Sequence, residues 1–263
     1  MIHLLSPSKS LDFETKAQIE DYTIPEYLSR STSIVKKLQG YSTKKLEKLM
    51  GISSKLADLN AKRFKEWKPP IESGPAHKQA VLAFTGDVYS GLKAHEFSKE
   101  DLLFAQDHLR ILSGMYGMLK PLDLIAAYRL EMGTNLKVNN KKNLYEFWRS
   151  ELTSDLNREL QKKENKVLIN LASNEYFKAI DHKKLDAEVI QPVFKDAKNG
   201  EYKIIAIYAK IARGAMSRYI IKNRISNPDD LRGFNLDNYT YSSRLSKENE
   251  MVFTREEGQF PKK

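Results

Sequence analysis

The chain has 263 residues, 41% hydrophobic and 30% charged, which supplies enough apolar surface for a sizeable core and argues against global disorder. It contains no cysteine, so disulfides, thiolate nucleophiles, Cys-ligated zinc and iron–sulfur clusters are removed together. A formal net charge of +10 favours polyanionic partners, nucleic acid first and an anionic membrane second.

In chain order, short apolar runs bounded by Gly, Ser, Pro or Asn predict buried strands at Ile2–Ser6, Ala80–Thr85, Leu109–Ser113, Lys166–Ala172, Val189–Phe194 and Lys203–Ala209. Helical patterns lie between them at Ser31–Gln39, Thr43–Met50, Ser54–Trp67, Ser98–Leu103, Leu144–Lys163 and Arg213–Arg224. This alternation predicts an α/β fold with a mixed, mostly buried β-sheet flanked by helices. It is expected to form one domain over residues 1–263, with an N-terminal helix–hairpin–helix insertion at 42–67. Lys68–Pro75 (KPPIESGP) reads as a linker, and the tail after Glu256 as loose. No apolar run approaches the roughly eighteen residues of a membrane span. The N-terminus MIHLLSPSKSLDF lacks the pattern of a signal peptide. A cytoplasmic, monomeric protein without membrane attachment is expected.

Four predicted strands end in similar chemistry: Ser6-Pro7-Ser8-Lys9, Gly86-Asp87, Ser113-Gly114 and Ala172-Ser173-Asn174-Glu175. Open α/β sheets bind ligands outside the carboxyl ends of their strands, and small residues there let backbone amides approach a ligand. The same Gly and Ser residues serve equally well as turn formers. Asp87 in TGDVYSG suits a general base or metal ligand, or a cap for the next turn. Arg129 and Glu131 in AYRLEMG share a face if that segment is extended. Lys9, Asp87, Tyr116, Arg129, Glu131, Ser173 and Glu175 are therefore the candidates for an acid–base site, with Tyr176 beside them. A small molecule or nucleotide is a further candidate ligand of such a cleft.

The segment Ser42–Trp67 (STKKLEKLMGISSKLADLNAKRFKEW) carries the clearest DNA-binding pattern. Leu46, Leu49 and Met50 stripe a first helix, and Gly51 sits at its stop. Ile52 turns inward, Ser53 or Ser54 caps a second helix, and Ala57, Asn60, Ala61 and Phe64 mark the inner face of that helix. The pattern Leu49-Met50-Gly51-Ile52 followed by Ala57 resembles the helix–hairpin–helix of DNA-repair and replication proteins, with Ser53 replacing the second hairpin glycine. Free N–H groups and the helix dipole at the hairpin favour a phosphate. Lys55, Lys62, Arg63 and Lys65 can neutralise flanking phosphates. From Lys36 to Lys68 there are ten Lys/Arg against three Asp/Glu. Such contacts hold a duplex without reading its bases. A plain α-hairpin with a solvated basic face is the competing reading.

A second basic window, Lys210, Arg213, Arg218, Lys222 and Arg224, contains no acid. Arg218 and Lys222 lie one turn apart on a helix, and Tyr208 and Tyr219 can stack on bases. The alternative is a helix that buries Met216, Ile220 and Ile221 and leaves its cations in water. The five histidines, His3, His77, His95, His108 and His182, show no metal-ligand spacing, and His108 reads as a core histidine. GxSxG, GxGxxG after a strand and Walker A are all absent. No cofactor and no metal are expected.

The whole chain resembles the YaaA family of bacterial peroxide-stress proteins. The residues carrying the resemblance are Ser6–Asp12 (SPSKSLD), Phe84–Leu92 (FTGDVYSGL), His108–Gly117 (HLRILSGMYG), Lys120–Asp123 (KPLD), Tyr128–Gly133 (YRLEMG), Leu171–Phe177 (LASNEYF) and Ala212–Arg218 (ARGAMSR). Ser8 departs from the small residue expected there. The resemblance implies an α/β protein with an inserted helix–hairpin–helix and a positively charged DNA-binding cleft. It also implies a role in surviving hydrogen peroxide by limiting unincorporated iron and damage to DNA and protein. Without cysteine or clustered histidine, strong direct iron chelation would fall to carboxylates and tyrosines. The leading expectation is a DNA-binding stress protein with little sequence preference. The others are an enzyme acting on nucleic acid or a nucleobase at the strand-end cleft, and a non-catalytic iron-handling or partner-binding protein.

Overall fold

The computed structural model describes residues 1–259. In chain order, β1 (Ile2–Leu5) is followed by three helices, α1 (Leu28–Gln39), α2 (Thr43–Met50) and α3 (Ser54–Glu66). Then come α4 (Asp87–Leu92), α5 (Lys99–His108), β2 (Leu109–Ser113), β3 (Gly117–Leu119), α6 (Leu144–Gln161) and β4 (Val167–Asn170). The C-terminal part holds β5 (Glu188–Lys198), β6 (Glu201–Lys203), α7 (Ala206–Lys222), β7 (Thr240–Tyr241) and β8 (Glu250–Arg255).

These strands form one sheet in the order β7-β8-β5-β4-β1-β2-β3, with β6 hairpinned onto β5. The five strands β8, β5, β4, β1 and β2 run parallel, and β3, β6 and β7 are antiparallel additions. The parallel strands β1, β2 and β4 are buried at every residue, as expected of a sheet covered on both faces. The register pairs Leu4 with Arg110 and with Asn170, so these three side chains share a face. On that face Arg110 meets Glu159 of α6 at 2.7 Å. On the other, His3 contacts the Ser217 hydroxyl of α7 at 2.9 Å. Burial pushes the His3 imidazole down to about 3, so it is neutral in the fold.

Two predicted strands are replaced. Ala80–Ala83 forms one helical turn, and only Phe84–Thr85 is extended, pairing with Ser10–Leu11. A four-residue apolar run has no periodicity to separate a strand from a buried turn. Lys203–Ala209 divides between β6 and the start of α7. There Ile204 and Ile207 are exposed, so the run is apolar without being core. Strand β8 (EMVFTR) was not predicted: between its terminal charges the run MVFT is only four residues long. Yet Arg255 is buried at 2% exposure against a fully buried Asp196 of β5, 2.7 Å away. The pairing of two distant charges conceals the strand from any local pattern.

Helices α4 and α7 touch backbone to backbone. A Cβ placed on Gly214 would lie 1.7 Å from the Val88 carbonyl oxygen, and one on Gly91 would lie 2.0 Å from that of Ile211. No side chain fits between them. This crossing brings the N-terminal half of α7 to the carboxyl ends of the strands.

Candidate functional site

The sheet order reverses direction between β1 and β4: the chain moves from β1 to β2 on one side and then returns to β4 on the other. At such a switch point the loops leaving the two strands diverge and open a crevice. Here the loops are Ser6–Lys9 and Ala172–Glu175. Ser6 and Ser173 tie them together: the Ser173 N–H donates to Ser6 Oγ at 2.9 Å, and the two hydroxyls lie 3.3 Å apart. The Tyr89 hydroxyl of α4 donates to the Ser6 carbonyl at 3.1 Å.

A third segment, Tyr128–Gly133, crosses the crevice. Lys9 reaches Glu131 at 3.0 Å, and Arg129 reaches the same carboxylate oxygen at 3.2 Å. Glu175 accepts the Gly133 N–H at 2.9 Å. Of the seven candidates, Lys9, Arg129 and Glu131 line one narrow cleft of about 10 Å³, and Ser173 and Glu175 are bonded to its neighbours Ser6 and Gly133. Tyr128 and Tyr176 line it with Pro7 and Ser8. Burial, with nearby acidic groups adding to it, holds the Tyr176 phenol well above its ordinary range. The Arg129 Nε is buried without a hydrogen-bond partner among the described residues, so this cleft keeps one donor to offer. Tyr128 and Tyr89 were missed as site residues, although both lie in the motif stretches TGDVYSG and AYRLEMG.

The other two candidates lie apart. Asp87 occupies the first turn of α4, where Gly86 rather than Asp87 is the N-cap, and it faces Lys210 at 3.5 Å. Tyr116 is fully buried. Its hydroxyl accepts the Trp67 indole N–H and the Ala126 N–H, each at 3.0 Å, and burial pushes its phenol up to about 12. It joins the end of α3 to the body of the protein and does not open into the cleft.

Helices α2 and α3 are joined by the short turn Gly51–Ser53. Ser42 caps α2, and Gly51 adopts the left-handed conformation at φ 60° and ψ 44°. Ile52 is buried, and Ser53 rather than Ser54 caps α3, accepting the Leu56 N–H at 3.4 Å. Gly51 and Ile52 turn their N–H groups back to the Glu47 carbonyl. The amides left for a ligand are thus those of Ser54 and Lys55, in the first turn of α3. The Ser54 hydroxyl donates to the Glu47 carboxylate at 2.9 Å, so one acid stands beside them. Leu46, Ala57, Asn60 and Phe64 are buried against the core. Lys36, Lys37, Lys44, Lys45, Lys48, Lys55, Lys62, Lys65 and Lys68 are all exposed. Among the described residues the only carboxylate within ion-pair range of these nine is Glu66, at 4.0 Å from Lys62. Arg63 differs: it is half-buried, and burial lowers its pKa.

The second basic window is neutralised through space. Lys210 meets Asp87, and Arg218 meets Glu96. Asp101 takes both Lys222, at 2.5 Å, and Arg224, at 2.8 Å. Arg213 is half-buried and holds its Nε where no hydrogen-bond partner reaches it among the described residues. Tyr219 packs its ring on Phe234, and Tyr208 lies under Arg255, so both aromatic faces are engaged within the fold. His108 is half-buried and stacks on Phe104 at 4.0 Å.

Among the described residues no three His, Asp or Glu side chains gather as metal ligands would. No helix of the described residues is long and apolar enough to cross a membrane.

Fold and site together define an α/β protein with a mostly parallel sheet, a polar crevice at its switch point and a lysine-rich helical pair. The profile of the family described as peroxide stress protein YaaA matches residues 1–245. The chain is also 50% identical over 257 residues to a UPF0246 protein of Cellvibrio japonicus (strain Ueda107), covering 98% of this chain and 99% of that one. The chain belongs to the peroxide stress protein YaaA family.

Proposed function

We propose that this peroxide-stress protein binds DNA with little sequence preference through the α2–α3 pair. The observation that carries this reading is the row of exposed lysines on these helices, of which only Lys62 has a carboxylate in range among the described residues, beside the first-turn amides of Ser54 and Lys55. Phosphates satisfy both features, and nothing there is placed to read a base edge. The test is anisotropy of labelled duplexes of unrelated sequence over a range of salt. Affinity should fall steeply with salt and differ little between sequences. Gly51→Val, which puts a β-branched residue at a positive φ, should weaken binding several-fold. Duplex affinity that survives this change and ignores salt would overturn the reading. The limiting of unincorporated iron is proposed to be indirect, without iron held by the chain itself. Stoichiometric retention of ferrous or ferric iron in equilibrium dialysis would overturn that part.

A second reading rests on the convergence of Lys9, Arg129, Glu131, Ser173 and Glu175 at the switch point. This cleft would act on a nucleic acid or nucleobase. Incubation with duplex, damaged duplex and single strands, with and without divalent metal, tests it. Absence of product throughout would sink it.

A further inference from the structure

Beside the hairpin lies a groove that neither reading uses. It runs between the last turn of α3 and the segments around Pro75–His77 and Ala126–Ala127, with a volume of about 290 Å³. That is near the low end of the roughly 300–1,000 Å³ of small-molecule sites, too small for a duplex. Phe13, Trp67 and His77 give it aromatic walls, and the small Ala126 and Ala127 leave room between them. Trp67 is held by its N–H edge, which donates to the Tyr116 hydroxyl at 3.0 Å, so its ring has little freedom to swing away. Arg63 and Lys68 bring cations to the same groove.

Arg63 is the unusual member. It is half-buried, and no carboxylate pairs with it among the described residues. The nearby acid, Glu66, also lines the groove but is turned to Lys62. A guanidinium withdrawn from water without a partner is stabilised by an anion that forks across it, and phosphate matches that geometry. Aromatic faces beside such a cation are the elements that hold unpaired bases in single-stranded nucleic acid.

We propose that this groove binds one unpaired base of a single-stranded nucleic acid, stacked against Trp67 and Phe13, with its phosphate on Arg63 and Lys68. The proposal rests on the nucleic-acid reading and deepens it: lysines of α2 and α3 hold a backbone, and the groove takes a base that is out of the stack. Base pairing hides the faces that the groove would grip, so the preference should be for single strands, gaps or extruded bases over intact duplex.

The chain has two tryptophans, and Trp148 is fully buried, so quenching of the emission by stacking reports on Trp67. Titration of the full protein with short oligothymidylate, with its ribose counterpart and with a blunt duplex supplies the test. Saturable quenching by the single strands and little by the duplex is expected, and the two sugars rank DNA against RNA. Arg63→Gln should weaken single-strand binding about tenfold, several times more than it weakens duplex binding. Trp67→Phe keeps a stacking face and should bind near the parent level by anisotropy. Trp67→Leu should lose at least about fivefold. Duplex binding without single-strand quenching overturns the groove and leaves the hairpin reading standing. Equal loss of both ligands in Arg63→Gln also overturns it. Binding of neither ligand overturns both. Single-strand quenching that persists after Lys55 and Lys62 are changed to Glu supports the groove even where duplex affinity is lost.

Discussion

Residues 36–68 and 210–224 are both dense in cations, and the fold treats them oppositely. The first stretch contains three acids of its own, yet among the described residues only Lys62 of its lysines has a carboxylate in range. The second contains none, yet Lys210, Arg218, Lys222 and Arg224 all have carboxylate partners supplied by Asp87, Glu96 and Asp101. A count of charge within a window therefore predicts little about the potential at that surface. What decides it is the element packed across from the window. For α7 that element is the α4–α5 region, brought to it by the close crossing of Gly91 and Gly214.

The strongest way to break this contrast is to separate α7 from α4. Gly214→Ala places a methyl group where the Val88 carbonyl already lies, and backbone cannot step aside as a side-chain tip can. Overpacking of this kind should cost about 3 kcal/mol or more, seen as a large drop in the thermal midpoint or as insoluble protein. Gly51→Ala meets open space and carries only the strain of a positive φ, so about 1 kcal/mol is expected. Equal melting of the two variants would show that the crossing is not tight.

A smaller effect is expected from the acid that neutralises the far end of α7. Burial raises the Asp101 carboxyl, but hydrogen bonds from Lys222, the Ser98 N–H and Arg224 outweigh it and hold it at about 2. Its unfolded value is roughly 3.9. A depressed carboxyl contributes stability that is complete above the unfolded value and is lost as pH falls through the folded one. Asp101→Asn should therefore cost about 2 kcal/mol near neutrality, from the lost charge-assisted hydrogen bonds and the weakened cap of α5. The gap between variant and parent in denaturant midpoint should close as pH drops from about 4 toward 2. A gap that stays constant across that interval would place its origin elsewhere.

The sequence revealed those features whose causes are local. Ser42, Gly51 and Ser53 mark α2 and α3 because caps and a left-handed stop are chemistry of one or two residues. The strand ends Ser6, Ser113 and Ser173 could be read because short apolar runs lead directly into them. What could not be read is what the fold brings from afar. Tyr116 closely follows the strand end Ser113-Gly114, but Trp67 and Ala126 occupy its hydroxyl. Asp87 lies next to the cleft in sequence, but α4 turns it to Lys210. The acid-free window gave no sign of Glu96 or Asp101, more than a hundred residues earlier. Strand β8 was hidden because its buried Arg255 is matched by Asp196 on another strand.

The smallest expected effect on stability is also the sharpest test of the contrast. Lys55→Gln with Lys62→Gln removes two exposed cations, of which only Lys62 has a carboxylate in range, at the limit of 4.0 Å. Stability should stay within about 0.5 kcal/mol of the parent. If each lysine neutralises one phosphate, the slope of log affinity against log salt should flatten by about 2. Arg218→Gln with Lys222→Gln removes the same amount of charge from a paired surface. There the salt slope should hold, while stability falls by about 1 kcal/mol or more, because Glu96 and Asp101 each lose one of their partners. Net charge is equal in the two double variants, so a general electrostatic attraction would weaken both equally. Only a surface whose cations are free for phosphates separates them. If the α7 variant lost the steeper share of the salt dependence, the ion pairs would have to open on binding, and the nucleic-acid surface would lie on α7.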